Sequence, residues 1–271
     1  MDWLRVHRGE APLVIAFPHG GTDLAGLDEQ FVSPWHAQID TDWWIADLYA
    51  FAADMGATLV ATDISRSVID MNRDPSGASL YPGQATTELC PTTTFDGEPL
   101  YRFDLPDEAE INRRLTQYHR PYHEALAAEL ERLRAEHGKV VLYDAHSIRS
   151  HVPRLFEGEL PHFNIGTNGG ASCDLELTEM LVDAVFLGDL EGSWSGVVNG
   201  RFKGGWTTRH YGRPDDGIHA IQMELAQRGY MAEPAAITHA NWPSPIDPTP
   251  AIRPVLEQVI AATLDFAKGR S

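Results

Sequence analysis

Apolar positions along the chain alternate between two rhythms. Leu13–Phe17 is an unbroken apolar run, short enough for a buried strand. Over residues 42–55, Ile45, Leu48, Tyr49, Ala52 and Met55 recur at helical spacing. Thr58–Thr62 returns to a strand pattern and runs into the segment SRSVIDMNR. Residues 76–104 are rich in Gly, Pro and Thr, and so long an irregular stretch is expected to be a functional loop or lid. A long helix is predicted over 106–136, with Ile111, Leu115, Tyr118, Leu126, Leu130 and Leu133 as its stripe and Pro121 as a kink or break.

The second half repeats the alternation. Residues 139–144 read as a buried strand that ends in the polar run Asp144, Ala145, His146, Ser147. Residues 163–165 predict another strand, 174–186 a helix, and 197–211 a turn or hairpin around Lys203. Residues 217–225 alternate in strand fashion, and a closing helix starts at Pro250 with Ile252, Val255, Leu256, Val259, Ile260 and Phe266 on one face. Strands interleaved with helices imply α/β layering around a mostly parallel sheet, where ligands bind beyond the carboxyl ends of strands. His19 and His146 both fall just past such ends.

Composition narrows the partners. The 271 residues carry a formal net charge of -18, which excludes nucleic acid and anionic membrane surfaces as partners, since both need basic patches. Two cysteines, Cys90 and Cys173, give no disulfide framework, and no apolar stretch approaches a membrane span. The N-terminus lacks a basic region followed by a long apolar run, so no signal peptide is expected and a reducing cytoplasm is the expected location.

Candidate chemistry gathers at the strand ends. His19 precedes Gly20 and Gly21, Asp40 and Asp42 stand at the mouth of a predicted helix, and His146 ends another strand. Two histidines with one of these aspartates form the ligand set of catalytic zinc hydrolases and of non-haem iron oxygenases. Asp144, two residues before His146, points the same way and would orient that imidazole or serve as a ligand itself. Arg66, Arg73, Arg149, Arg201 and Arg209 occupy strand ends and Gly-rich segments, and Arg grips carboxylates bidentately. Glu224, in the alternating segment, is a candidate general base. No G-x-S-x-G elbow, P-loop or dinucleotide fingerprint competes with this site.

The motifs PHGG, DTDWW, SRSVIDMNRDPSG, FDGEPLYR, DAHSIRS, NIGTNGGASCD, NGRFKGGWTTRHYG and GIHAIQMELAQRGYM occur in this order. The chain resembles the N-formylglutamate amidohydrolase family over residues 12–232 or so. The resemblance implies one domain over 1–271, a three-layer α/β/α fold with a mixed central sheet of the zinc-exopeptidase (phosphorylase/hydrolase-like) type, and a single divalent ion, zinc first. It implies cleavage of N-formyl-L-glutamate to formate and L-glutamate, a step of histidine degradation. By motif, His19, Asp42 and His146 would hold the metal, although the His-x-x-Glu pattern common in zinc exopeptidases fails here because Thr22 occupies its last position. Glu224 would be the base and Arg149 an oxyanion stabiliser. Asn72 with Arg73, helped by Arg66 and Arg209, would bind the substrate carboxylates. The alternatives are an iron oxygenase on the same ligands, a hydrolase of other N-acyl or N-formimino amino acids, and a non-catalytic carboxylate binder.

Overall fold

A computed structural model describes residues 1–78, 86–186, 193–247 and 250–269. Seven strands form one sheet in the order β1-β3-β2-β4-β7-β5-β6. They are β1 (Leu4–His7), β2 (Leu13–Phe17), β3 (Thr58–Thr62), β4 (Val140–Ile148), β5 (Phe163–Gly166), β6 (Gly196–Val198) and β7 (Ile218–Ala226). The centre β3-β2-β4-β7 is parallel, while β1 runs antiparallel to β3 and β5 antiparallel to β7. The sheet is therefore mixed, as the resemblance implied. The helices are α1 (Pro34–Ala37), α2 (Ile45–Leu48), α3 (Glu108–Arg114), α4 (Arg120–His137), α5 (Leu175–Phe186), α6 (Trp206–Tyr211) and α7 (Arg253–Ala267).

Strand periodicity sorts the core into two faces. Leu13, Ile15, Val141, Tyr143, Ile221 and Met223 pack with residues of α5 and α7, including Leu177, Leu181, Leu256 and Ile260. The opposite residues Val14, Ala16, Val60, Val140, Leu142, Ile218 and Ala220 pack with Tyr122, Leu126, Leu130 and Leu133 of α4. The result is three layers, helix on sheet on helix.

Several expectations change in detail. The strand expected to end at Asp144 continues to Ile148, buried throughout, because parallel pairing with β7 extends from Val140↔Ile218 to Ile148↔Ala226. His146 thus lies inside a strand. The helix expected over 42–55 breaks into α2 and a 3₁₀ turn (Ala50–Ala53), with Trp44 in left-handed backbone (φ 57°) before it. Its stripe is still buried at Ile45, Leu48, Tyr49 and Ala52; tertiary packing meets the periodicity without a continuous helix. The hairpin expected over 197–211 is instead β6, parallel to β5, a loop, and α6. Gly204 and Gly205 serve close approach there rather than a reversal: a Cβ on Gly205 would collide with the Asn72 amide. The expected kink near Pro121 takes the form of a π-turn, Leu115–His119, joining α3 to α4. β1 was not expected; it is a short and largely exposed edge strand. Of the loop expected over 76–104, residues 79–85 lie outside the described residues, and Gly77, Ala78 and Thr86–Leu89 border the main cavity.

Candidate metal centre and active-site cavity

Along the α4-side face of β4 and β7, apolar residues give way to polar ones halfway up. Val140 and Leu142 are followed by Asp144 and His146, and Ile218 and Ala220 by Gln222 and Glu224. Register sets Asp144 beside Gln222 and His146 beside Glu224. Just beyond β2, His19 turns toward His146, and the Asp42 amide donates to the His19 carbonyl at 3.1 Å. Three buried donors converge as a result. The two Nδ1 atoms of His19 and His146 lie 3.1 Å apart. Asp42 Oδ2 lies 3.1 Å from His146 Nδ1 and 3.7 Å from His19 Nδ1. Donors 2.0–2.1 Å from a tetrahedral zinc stand roughly 3.4 Å apart, so this triangle fits such an ion. His19, Asp42 and His146 are also the group of His, Cys, Asp and Glu side chains, among the described residues, whose ligand atoms lie within 4.8 Å of one another.

Each imidazole is braced from behind. His19 Nε2 donates to Asp70 Oδ1 at 2.6 Å, while His146 Nε2 lies 3.0 Å from both Asp144 Oδ2 and the Asn72 amide nitrogen. The Asp70 bond places the His19 proton on Nε2 and leaves its Nδ1 as the lone-pair donor, the arrangement that orients metal-binding histidines, and His146 likewise turns its Nδ1 to the triangle. Burial pushes the Asp42 carboxyl up, but its contacts with the His146 and His19 imidazoles outweigh it and hold the group well below the usual carboxylate range. For Asp70 the same burial is outweighed by Arg73, His19 and Arg66, so it too stays ionised. Glu224 goes the other way: burial dominates and pushes it up to about 8, against the pull of His146. Gln222 Nε2 donates to Glu224 Oε2 at 3.0 Å, and its amide is oriented by the Gly205 N–H on Oε1 at 2.6 Å.

A cavity of about 320 Å³ opens over these groups. Its polar wall includes His19, Arg66, Arg73, His146, Arg201 and Glu224; Phe95, Ile148, Leu155 and Phe202 line an apolar side. Arg66 donates to Asp70 at 2.9 Å and approaches Asp42 at 3.4 Å, under the ring of Phe95. The structure brings His19, Asp42, Arg66, Arg73, His146 and Glu224 together, but three expected roles move. Arg149 is absent from the cavity lining; its guanidinium bonds Asp40 and Asp96 at 3.2 and 2.8 Å. It stands three positions after His146, an odd step along the pleat, so alternation sends it away. Arg209 also stays outside the lining, its Nε donating to the Gly204 carbonyl at 3.1 Å. Asn72 borders the cavity with its amide committed to protein: Oδ1 accepts the Thr207 N–H at 2.8 Å, and Nδ2 faces Asp144 Oδ2 at 3.3 Å. Asp70 and Gln222 were not anticipated. Strand alternation with Glu224 is a signal that would have found Gln222; nothing local marks Asp70.

Comparison with known proteins agrees with this geometry. The chain is 47% identical over 269 residues to the N-formylglutamate deformylase of Pseudomonas aeruginosa, covering 98% of each. It is 47% identical over 271 residues to the N-formylglutamate deformylase of Pseudomonas putida, covering 98% of this chain and 97% of that one. The crystal structure of N-formylglutamate amidohydrolase from Ralstonia eutropha superposes with a TM-score of 0.78 at 24% identity, over 99% of this chain and 98% of that one, and so shares the fold. The sequence profile described as N-formylglutamate amidohydrolase matches residues 11–231, and the chain belongs to that family.

Proposed function

We propose that this chain hydrolyses N-formyl-L-glutamate to formate and L-glutamate. The observation that carries the reading is the buried His19–Asp42–His146 triangle beside Glu224, in a cavity walled by Arg66, Arg73 and Arg201. The relatives at 47% identity, named as N-formylglutamate deformylases, supply the substrate. A divalent ion on these donors, zinc first, would polarise the formyl oxygen and lower the pKa of a bound water to around 7.

The chain's own groups perform the rest. The cationic wall attracts the two substrate carboxylates, which a protein of net charge -18 would otherwise repel. Of the arginines expected to meet substrate, Arg66 and Arg73 line the cavity, Arg201 joins them, and Arg209 lies outside the lining. Glu224 takes the proton of the attacking water and hands it to the leaving nitrogen as the C–N bond breaks. Ionised Glu224 is the form a base requires, and a divalent cation nearby favours that form against burial. Gln222, donating to Oε2, leaves Oε1 to accept the proton. Asp70 holds the His19 imidazole in one tautomer, and Asp144 with the Asn72 amide sets the orientation of His146.

The wider reading is one catalytic domain over 1–271, supported by the single sheet whose neighbouring strands carry the site. The reading extends to a step of histidine degradation in the cytoplasm, where a reducing milieu would keep the two buried cysteines free. The test is formate release from N-formyl-L-glutamate by purified protein, before and after chelation, with zinc added back. Release that chelation stops and zinc restores is the expected result. A zinc-loaded protein that releases no formate from this substrate would refute the assignment.

A further inference from the structure

The segment from Ser65 to Arg73 carries Arg66, Asn72 and Arg73 to the cavity and Asp70 to the back of His19, yet no helix or strand holds it. Its carbonyls must find donors elsewhere. Three come from one continuous helical stretch. Arg114 donates to the Val68 carbonyl at 2.9 Å, His123 to Met71 at 2.8 Å, and His119 to Arg73 at 3.0 Å. The two histidines therefore grip the carbonyls on either side of Asn72. All three donors are buried. Because a carbonyl only accepts, each imidazole carries its proton on Nε2. The Tyr211 hydroxyl sits against the same residue, 3.1 Å from His123 Nδ1 and 3.2 Å from the His123 carbonyl, two acceptors for its one proton, which fixes the ring.

The spacing of these donors does not suit an α-helix. A residue five positions on is about 500° round, well off the starting face. The π-turn Leu115–His119 lies between Arg114 and His119, and its i→i+5 bonding makes five positions about one turn. His119 to His123 is then one ordinary α-turn. We infer that the π-turn exists to align Arg114, His119 and His123 as a clamp, and that His119 and His123 are positioning residues which hold Asn72 and Arg73 in register with the cavity. Pro121 secures the arrangement, since it has no N–H to continue α-type bonding through the turn.

The kinetic arm of the test rests on the function proposed above; the exchange arm does not. Amide hydrogen exchange is measured across Asp70–Arg73 in the zinc-loaded full chain, where the Asp70 and Asn72 amides are bonded to the Leu89 carbonyl and to Asp70 Oδ1. His123→Leu should speed exchange there at least tenfold, leave the amides of β4 and β7 protected, and lower kcat/KM for N-formyl-L-glutamate at least tenfold. His123→Gln, which keeps an N–H donor near the position of Nε2, should restore both to within about threefold of the parent. The His119→Leu and His119→Gln pair repeats the test should His123→Leu fail to fold. Removing Gln117, an exposed residue within the π-turn, should loosen Asp70–Arg73 as the leucine variants do. Unchanged exchange in a folded leucine variant, or glutamine variants no better than leucine in both readouts, would overturn the clamp. A parent that releases no formate but shows the exchange pattern would sink the function and leave the clamp standing.

Discussion

Asp70→Asn isolates the carboxylate behind His19. The wild-type bond, 2.6 Å from Nε2 to Oδ1, is charge-assisted and fully buried. Hydrogen bonds to charged groups contribute ~1.5–3 kcal/mol and neutral ones ~0.5–1.5. An Asn oxygen can still accept from Nε2, so the loss is the difference, about 1–2 kcal/mol. If that difference falls on the metal-bound state, zinc binds roughly 5- to 30-fold more weakly. This overlaps the 10- to 100-fold cost typical of removing such outer partners of metal ligands. Asp70 also bonds Arg66 at 2.9 Å and approaches Arg73 at 3.6 Å, so folding stability will fall as well and must be measured separately. The assay is zinc competition against a chromophoric chelator, with circular dichroism establishing that the variant is folded. A folded Asp70→Asn protein that binds zinc within twofold of the parent would falsify the bracing role.

Glu224→Gln should keep zinc and product affinity while kcat falls by ~10²–10⁴; a kcat within a few-fold of the parent would assign the base elsewhere. Arg149→Ala should lower thermal stability, because Asp40, largely shielded from water, loses its ion pair, at a cost of ~1–3 kcal/mol, and should leave kcat within about threefold. A hundredfold loss of kcat at unchanged stability would return Arg149 to the reacting atoms. His123 is pushed down to about 3, by burial first and then by His119. The unfolded imidazole takes a proton near pH 6.5 and the folded one does not, so this group's contribution is complete above pH 6.5 and diminishes as pH falls toward 3. The slope is at most ~1.4 kcal/mol per pH unit. His123→Gln should flatten the stability profile over that window by this amount, and parallel profiles measured by urea denaturation would refute it.

Much of the architecture was legible because burial leaves a periodic trace. Leu13–Phe17 and Thr58–Thr62 appear in the structure with the bounds their apolar runs predicted. The helix expected over 174–186 appears as Leu175–Phe186. Elements lacking such a trace were missed or misread: Leu4–His7 is an edge strand with little to bury, and Gly204–Gly205 resembled a turn because glycine marks close approach as readily as reversal. His19, Asp42, His146 and Glu224 stood out as chemistry-bearing residues at or beside strand ends. Asp70 did not, because its role depends on His19, a partner far along the chain and set by topology alone. Arg149 was overvalued for its place in the motif, although counting strand alternation from His146 would have turned it outward.

The shared face of β4 and β7 has a consequence for how the chain tolerates change. Lower and upper halves of each strand obey one parity: Leu142 fills the core and His146 carries chemistry because both are even steps along one pleat. One residue inserted between Leu142 and Asp144 would send His146 toward the α5–α7 layer while the lower half stayed packed. Such a chain could keep its outline and lose its reactive centre. The two central strands are thus fixed-length rulers, and variation in length is tolerable only in the segments beyond Ile148 and Ala226, where the walls of the cavity, and with them its choice of ligand, can be rewritten without moving the groups beneath.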